Sequence, residues 1–207
     1  MKSNHFGRSM IEMLGVLAII AVLTVGGIAG YSKAMTKWKN NKAMAEYNFL
    51  VFGIMQHLDD FRNMGVNGKN IWAGDAAESL GLIPNSWKTD GNGLHDAYGN
   101  TIGLYLRGRQ FLFNIFIGGS TLYSKNKKYK EQFCMELFQQ VFVPLHSFVM
   151  YGQVWHGPDT SFTYWGNASC KSKNQKCLSN ISLDDIYQAC HSCATINEAY
   201  CNVGISF

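Results

Sequence analysis

The sequence predicts an α+β chain. A long N-terminal α-helical spine, membrane-spanning in its first half and amphipathic in its second, packs on an antiparallel β-sheet head with a disulfide-bonded C-terminal region. Three observations carry this. No charged residue occurs between Met13 and Tyr31. Beyond that run, Met44, Tyr47, Val51, Ile54, Leu58 and Phe61 recur at alternating steps of three and four, which lines one face of a helix. All six cysteines fall at Cys134 or later.

A chain of 207 residues accommodates one anchor and one globular domain. Only 15% of the residues are charged and 14% are aromatic, so the part beyond the anchor buries a core rather than staying disordered. The net charge of +4 is too mild to argue for nucleic acid by itself. An even number of cysteines crowded into one exported region favours disulfides and an oxidising compartment.

The N-terminus carries the strongest signal. Residues 1–7 are short and polar, and an apolar run over about residues 11–31 follows. About 20 apolar residues cross a bilayer as a helix, so the run is long enough to span. No small-x-small cleavage site follows it, and residues 31–36 continue in a helical pattern, so the span is expected to stay on the mature chain. Lysine and arginine flank both ends, giving no charge asymmetry; the cysteines place the C-terminal region outside. Glu12 stands at the entrance to this run, where an unpaired acid at mid-membrane costs about 2.5–3.5 kcal/mol. It is either solvated near the headgroups against the helix dipole or paired with a cation from another chain.

Gly7 followed by Arg8, Ser9, Met10, Ile11 and Glu12 resembles the processing site of type IV prepilins. The resemblance implies a leader over residues 1–7, cleavage between Gly7 and Arg8 by a prepilin peptidase, and N-methylation of Arg8. It also implies that Glu12 is the assembly carboxylate, pairing with the freed amine of a neighbouring subunit. The chain departs from the family in two places. Arg8 replaces the usual apolar first residue, and Gly26, Gly27 and Gly30 stand where many pilins carry a helix-breaking proline. These glycines either loosen the helix or permit close helix packing.

The spine is expected to run as one helix over residues 8–64, with Gly65 as its stop and a head over residues 65–207. Residues 80–105 read as loop and turn. Residues 101–106 and 111–117 read as an antiparallel hairpin, 129–142 as a helix ended by Pro144, and 148–155 and 162–165 as strands. Ser182 caps a short helix over 183–190, and a last strand covers 203–207. The glycine-rich turn, the hairpin and Cys134 on a helix look like the head of type IVb pilins.

Spacing favours joining Cys134 to Cys190, tying the middle helix to the late one, with Cys170–Cys177 and Cys193–Cys201 closing local loops. The Cys190-His-Ser-Cys193 segment lacks the histidine that haem attachment requires and the second close pair that zinc favours, so no metal or cofactor is expected. His57, His95, His146, His156 and His191 form no recognisable catalytic arrangement, and Asp75, Glu78, Asp90 and Asp96 read as solvated loop residues. The protein is therefore not expected to be an enzyme. Lys125, Lys127, Lys128 and Lys130 form one basic cluster, and Lys171, Lys173 and Lys176 another; both read as solvated loops, with nucleic-acid contact as the alternative.

The expected function is a structural subunit of a type IV pilus or type II secretion pseudopilus, held in the inner membrane before assembly and in a periplasmic or extracellular filament after it. Its partners are prepilin peptidase, other pilin subunits and an inner-membrane assembly platform. The alternatives are a minor pilin serving adhesion or DNA binding, and an anchored domain that never polymerises.

Overall fold

The computed structural model describes residues 10–65, 69–90, 93–119, 127–155, 161–195 and 201–207, apart from the side chain of Ile11. Gly7, Arg8, Lys125 and His156 lie outside this set. The chain divides into two compact units, one ending at Asn41 and the other comprising Lys42–Phe207.

Helix α1, Met10–Gln56, enters both units. The expectation of a single helix to residue 64 is corrected at His57 (φ −111°, ψ 17°), whose N–H donates to the Ile54 carbonyl three residues back at 3.1 Å. The i−3 bond tightens the turn and ends the regular ladder. Helix α2, Leu58–Met64, restarts with Asp59 and Asp60 in its first turn, where carboxylates favour the positive end of the dipole. Gly65 does end α2, yet in extended rather than left-handed backbone (φ −71°, ψ 117°). Its missing Cβ matters for space, because any side chain there would run into the Gly108 carbonyl.

The second unit is built on an eight-stranded sheet among the described residues, with every strand pair antiparallel. Its strands are β1 (Asn70–Trp72), β2 (Lys88–Asp90), β3 (Gly93–His95), β4 (Thr101–Arg107), β5 (Gln110–Ile117), β6 (Tyr151–Trp155), β7 (Ser161–Trp165) and β8 (Cys201–Ser206). They lie in the order β2-β3-β4-β5-β8-β6-β7, with β1 on β4. A short helix α3, Gly74–Ser79, follows β1. The expected hairpin is β4–β5, turned by Gly108 at φ 60°. The expected loop over residues 80–105 instead contains β2 and β3, whose three-residue length leaves almost no alternation to read.

The last strand sits at the sheet's centre, between β5 and β6. Phe207 exchanges backbone hydrogen bonds with Phe111 at 2.9 and 3.2 Å and is buried. Alternation then sorts the two faces. Ile102, Leu104 and Leu106 of β4, Phe111, Phe113 and Ile115 of β5, and Val203 and Ile205 of β8 enter the core. Met44, Tyr47, Leu50, Val51 and Ile54 of α1 join them, each almost fully buried and contributing about 1.5–3 kcal/mol by removal from water.

Helix α4, Lys127–Leu137, is shorter than expected as a regular α-helix. It widens into a π-helical turn at Phe138–Phe142 and tightens into a 3-10 turn at Val143–Leu145, where Pro144 lies. Helix α5, Leu183–Thr195, runs one turn further than the sequence indicated. Ser182 and Asp185 cap it reciprocally: the Asp185 N–H donates to Ser182 Oγ at 3.1 Å, and the Ser182 N–H donates to Asp185 Oδ2 at 3.2 Å.

Candidate functional site

The first candidate surface lies on α1 in the first unit. Leu14, Leu17, Ile20, Leu23, Val25 and Ile28 are each more than half exposed, and Glu12 is exposed in the first turn. A contiguous apolar surface of this extent requires lipid or another chain to cover it. Among the described residues, one helix is long and apolar enough to cross a membrane. The Thr24 hydroxyl donates back to the Ile20 carbonyl at 2.7 Å, so the helix satisfies that polar group internally. Around Gly15, Gly26, Gly27 and Gly30, an added Cβ would meet nothing within 4 Å. No contact among the described residues requires glycine there.

The part of α1 in the second unit has a buried face and an uncovered one. Opposite Met44, Tyr47 and Val51 stand Ala45, Phe49 and Phe52, all exposed at i, i+4 and i+7 spacing, with both phenylalanine residues 55% exposed. The core-facing stripe was legible in the sequence. The second apolar stripe went unnoticed, although the same counting finds it.

The cysteines form three disulfides: Cys134–Cys190, Cys170–Cys177 and Cys193–Cys201, the pairs inferred from spacing. The first joins α4 to α5 across a sequence separation of 56 and is fully buried. Beside it His191 Nδ1 and Glu131 Oε2 lie 2.7 Å apart, and the His191 ring stacks on Tyr187, so the same two helices are also held on their solvent side. Cys193–Cys201 ties the end of α5 to the start of the central strand.

Asp96 corrects the expectation of a solvated loop carboxylate. It is 6% exposed and accepts from four donors. These are the Tyr47 hydroxyl at 2.7 Å, the Tyr98 and Asn100 backbone N–H groups at 2.8 Å each, and Asn100 Nδ2 at 2.7 Å. Asn100 Oδ1 in turn accepts from the Gly118 N–H at 3.1 Å. Burial pushes the Asp96 pKa up while the donors from Tyr47 and Asn100 oppose it; burial and the adjacent carboxylate hold the Tyr47 proton well above the ordinary tyrosine range. The cluster ties α1, the turn ahead of β4 and the end of β5.

One lysine of each basic cluster is taken up by structure, while Lys127 and Lys128 stay exposed. Lys130 is 2% exposed, correcting its reading as a solvated loop residue, and burial lowers its pKa. Lys176 pairs with Asp185, while Lys171 and Lys173 stay exposed. His57 pairs with Asp60 at 3.4 Å and His95 with Asp90 at 3.3 Å. Among the described residues no three histidine, cysteine or acidic side chains are grouped to hold a metal. Comparisons with protein-family models, with curated proteins and with solved structures find no match to this chain.

Proposed function

We propose that this protein is a type IV pilin-like structural subunit that polymerises through its N-terminal helix. The observation that carries the reading is Glu12, a carboxylate at the head of an exposed apolar helix that holds no other charge before Lys33. Within one chain that arrangement is costly; between chains it is useful. An ammonium about 4 Å from the carboxylate attracts it by roughly 4 kcal/mol at an effective dielectric of 20, and the pair sets the register of otherwise featureless apolar helices.

The remaining features agree with a filament. The open glycines of α1 allow close approach of neighbouring helices. Phe49 and Phe52 place an apolar patch on the head, where a second copy would cover it. Three disulfides and a central last strand make a head that resists being pulled apart. In this reading a prepilin peptidase cuts between Gly7 and Arg8, Arg8 is methylated, and an inner-membrane assembly platform lifts the subunit into a pseudopilus or pilus.

The substitution Glu12→Ala tests the reading. Insertion of the protein into the inner membrane is expected to continue while filament assembly stops. Filaments formed at the normal level by Glu12→Ala, or a mature N-terminus that retains residues 1–7, would refute it. A second reading, a minor pilin at a filament tip, draws on the uncovered sheet face of the head.

A further inference from the structure

The face of the sheet turned away from the core holds a concavity of about 220 Å³. Its floor is Gly204 of β8, which pairs with Asn114 of β5 on one side and Gln153 of β6 on the other. A Cβ at 204 would collide with Asn114 Oδ1, so the glycine leaves a hollow between two amides. Asn202 contributes a third amide, two residues along β8 and paired with Trp155. Asn202 is only 8% exposed, yet its side chain makes no hydrogen bond within the described residues, and neither do those of Asn114 and Gln153. Three amides thus present donors and acceptors to one open hollow; Asn114 and Gln153 are only partly buried, so a ligand there would engage them in place of solvent.

Two aromatic residues bracket the hollow. Tyr151 and Trp155 stand four residues apart on β6, about 13 Å at strand rise, with Gln153 between them. Tyr151 is steadied by an edge-to-face contact with Trp165 at 5.8 Å, and Trp155 is 43% exposed. Arg107 lies at the rim; its Nε donates to Asn70 Oδ1 at 3.1 Å, and its guanidinium has no ion pair among the described residues. Among the described residues no carboxylate lines the hollow.

We propose that this face binds a carboxylated saccharide, with one pyranose ring over Gly204 and between Tyr151 and Trp155. The chemistry of each part matches. The C–H face of a pyranose carries partial positive charge and meets the negative face of an aromatic ring. Adjacent hydroxyls each donate and accept, as an amide does, so Asn114, Gln153 and Asn202 can be satisfied in pairs. Arg107 supplies the planar cation that recognises a carboxylate. The volume lies below the roughly 300–1,000 Å³ of sites for drug-sized ligands, which fits a single ring. The site lies wholly in the head, so the proposal stands whether or not the chain polymerises.

The test uses the full chain in lipid nanodiscs, free of sugar detergents. Glucuronic acid, N-acetylneuraminic acid and a hyaluronan tetrasaccharide are the probes and glucose is the neutral comparison, read by saturation-transfer NMR and tryptophan fluorescence. Millimolar or tighter binding of at least one acidic probe is expected. Arg107→Gln lowers that affinity about tenfold and leaves the response to glucose unchanged. Trp155→Ala and Asn202→Ala each weaken binding of the acidic probe while the thermal transition of the protein persists. No binding of any acidic probe, or binding that survives Trp155→Ala undiminished, overturns the proposal. So does a single-stranded oligonucleotide that binds this face, is lost in Trp155→Ala and finds no saccharide competitor. Filament yield from Arg107→Gln, scored separately, reports on the assembly reading alone.

Discussion

The Tyr47 hydroxyl donates to the buried Asp96 carboxylate across 2.7 Å, joining helix α1 to the turn that starts β4. One residue belongs to the stripe read as plain core, the other to a segment read as solvated loop. Their bond is one of the polar attachments of the helical spine to the head, beside those that Glu46 accepts from Ser86 and Trp87. Tyr47→Phe keeps the ring in its contacts with Trp87, Phe113 and Phe133 but removes one of four donors to a buried acid. The expected cost is about 1–3 kcal/mol, measured by denaturant unfolding of the full chain.

The α5 cap sets an acid-sensitive contribution. The Lys176 ammonium and then the Ser182 hydroxyl hold the Asp185 carboxyl down at about 2, against an ordinary 3.8. A depressed folded pKa contributes stability that is present above the unfolded value and lost as pH falls through the folded one. Asp185→Asn is therefore expected to flatten the stability profile between pH 3.8 and about 2, by thermal melts across that window.

The disulfides differ in what their loss costs. Removing Cys134–Cys190, which closes a separation of 56, is expected to cost about 4 kcal/mol by loop entropy. Removing Cys193–Cys201, with a separation of 8, is expected to cost about 2.5 kcal/mol. Paired cysteine-to-serine variants compared by calorimetry check the order; equal losses would point to strain or residual structure instead.

Gly166 lies against the backbone between the end of α4 and β6. Its N–H donates to the Met150 carbonyl at 2.9 Å, and a Cβ would strike the Val149 carbonyl. Gly166→Ala is expected to destabilise by about 1–3 kcal/mol, although residue 166 does not occupy left-handed backbone. Urea midpoints of the two proteins decide it.

Phe49 and Phe52 are exposed, so replacing both by serine is expected to change head stability by no more than about 0.5 kcal/mol per site. In the filament reading the same pair covers a neighbouring copy. Filament yield, seen by electron microscopy, is therefore expected to fall while the melting temperature holds.

An uninterrupted apolar run determined the N-terminal span, a three-and-four spacing the core stripe of α1, and β-prone apolar residues on either side of a glycine turn the β4–β5 hairpin, because these local signals survive later packing. Cysteine spacing indicated the local pairs Cys170–Cys177 and Cys193–Cys201, since short loops close readily, and left Cys134 and Cys190 to tie the middle helix to the late one, as the structure joins them. Tertiary structure alone decided the rest. Strands β1, β2 and β3 have three residues each, too few for a period; β1 and β3 form on the edge that β4 offers, and β2 on β3. Asp96 and Lys130 are buried because distant elements close over them, which charge alone would not foretell. The amide hollow over Gly204 gathers residues from β5, β6 and β8, and backbone pairing between segments far apart in the chain is what brings those side chains to one face.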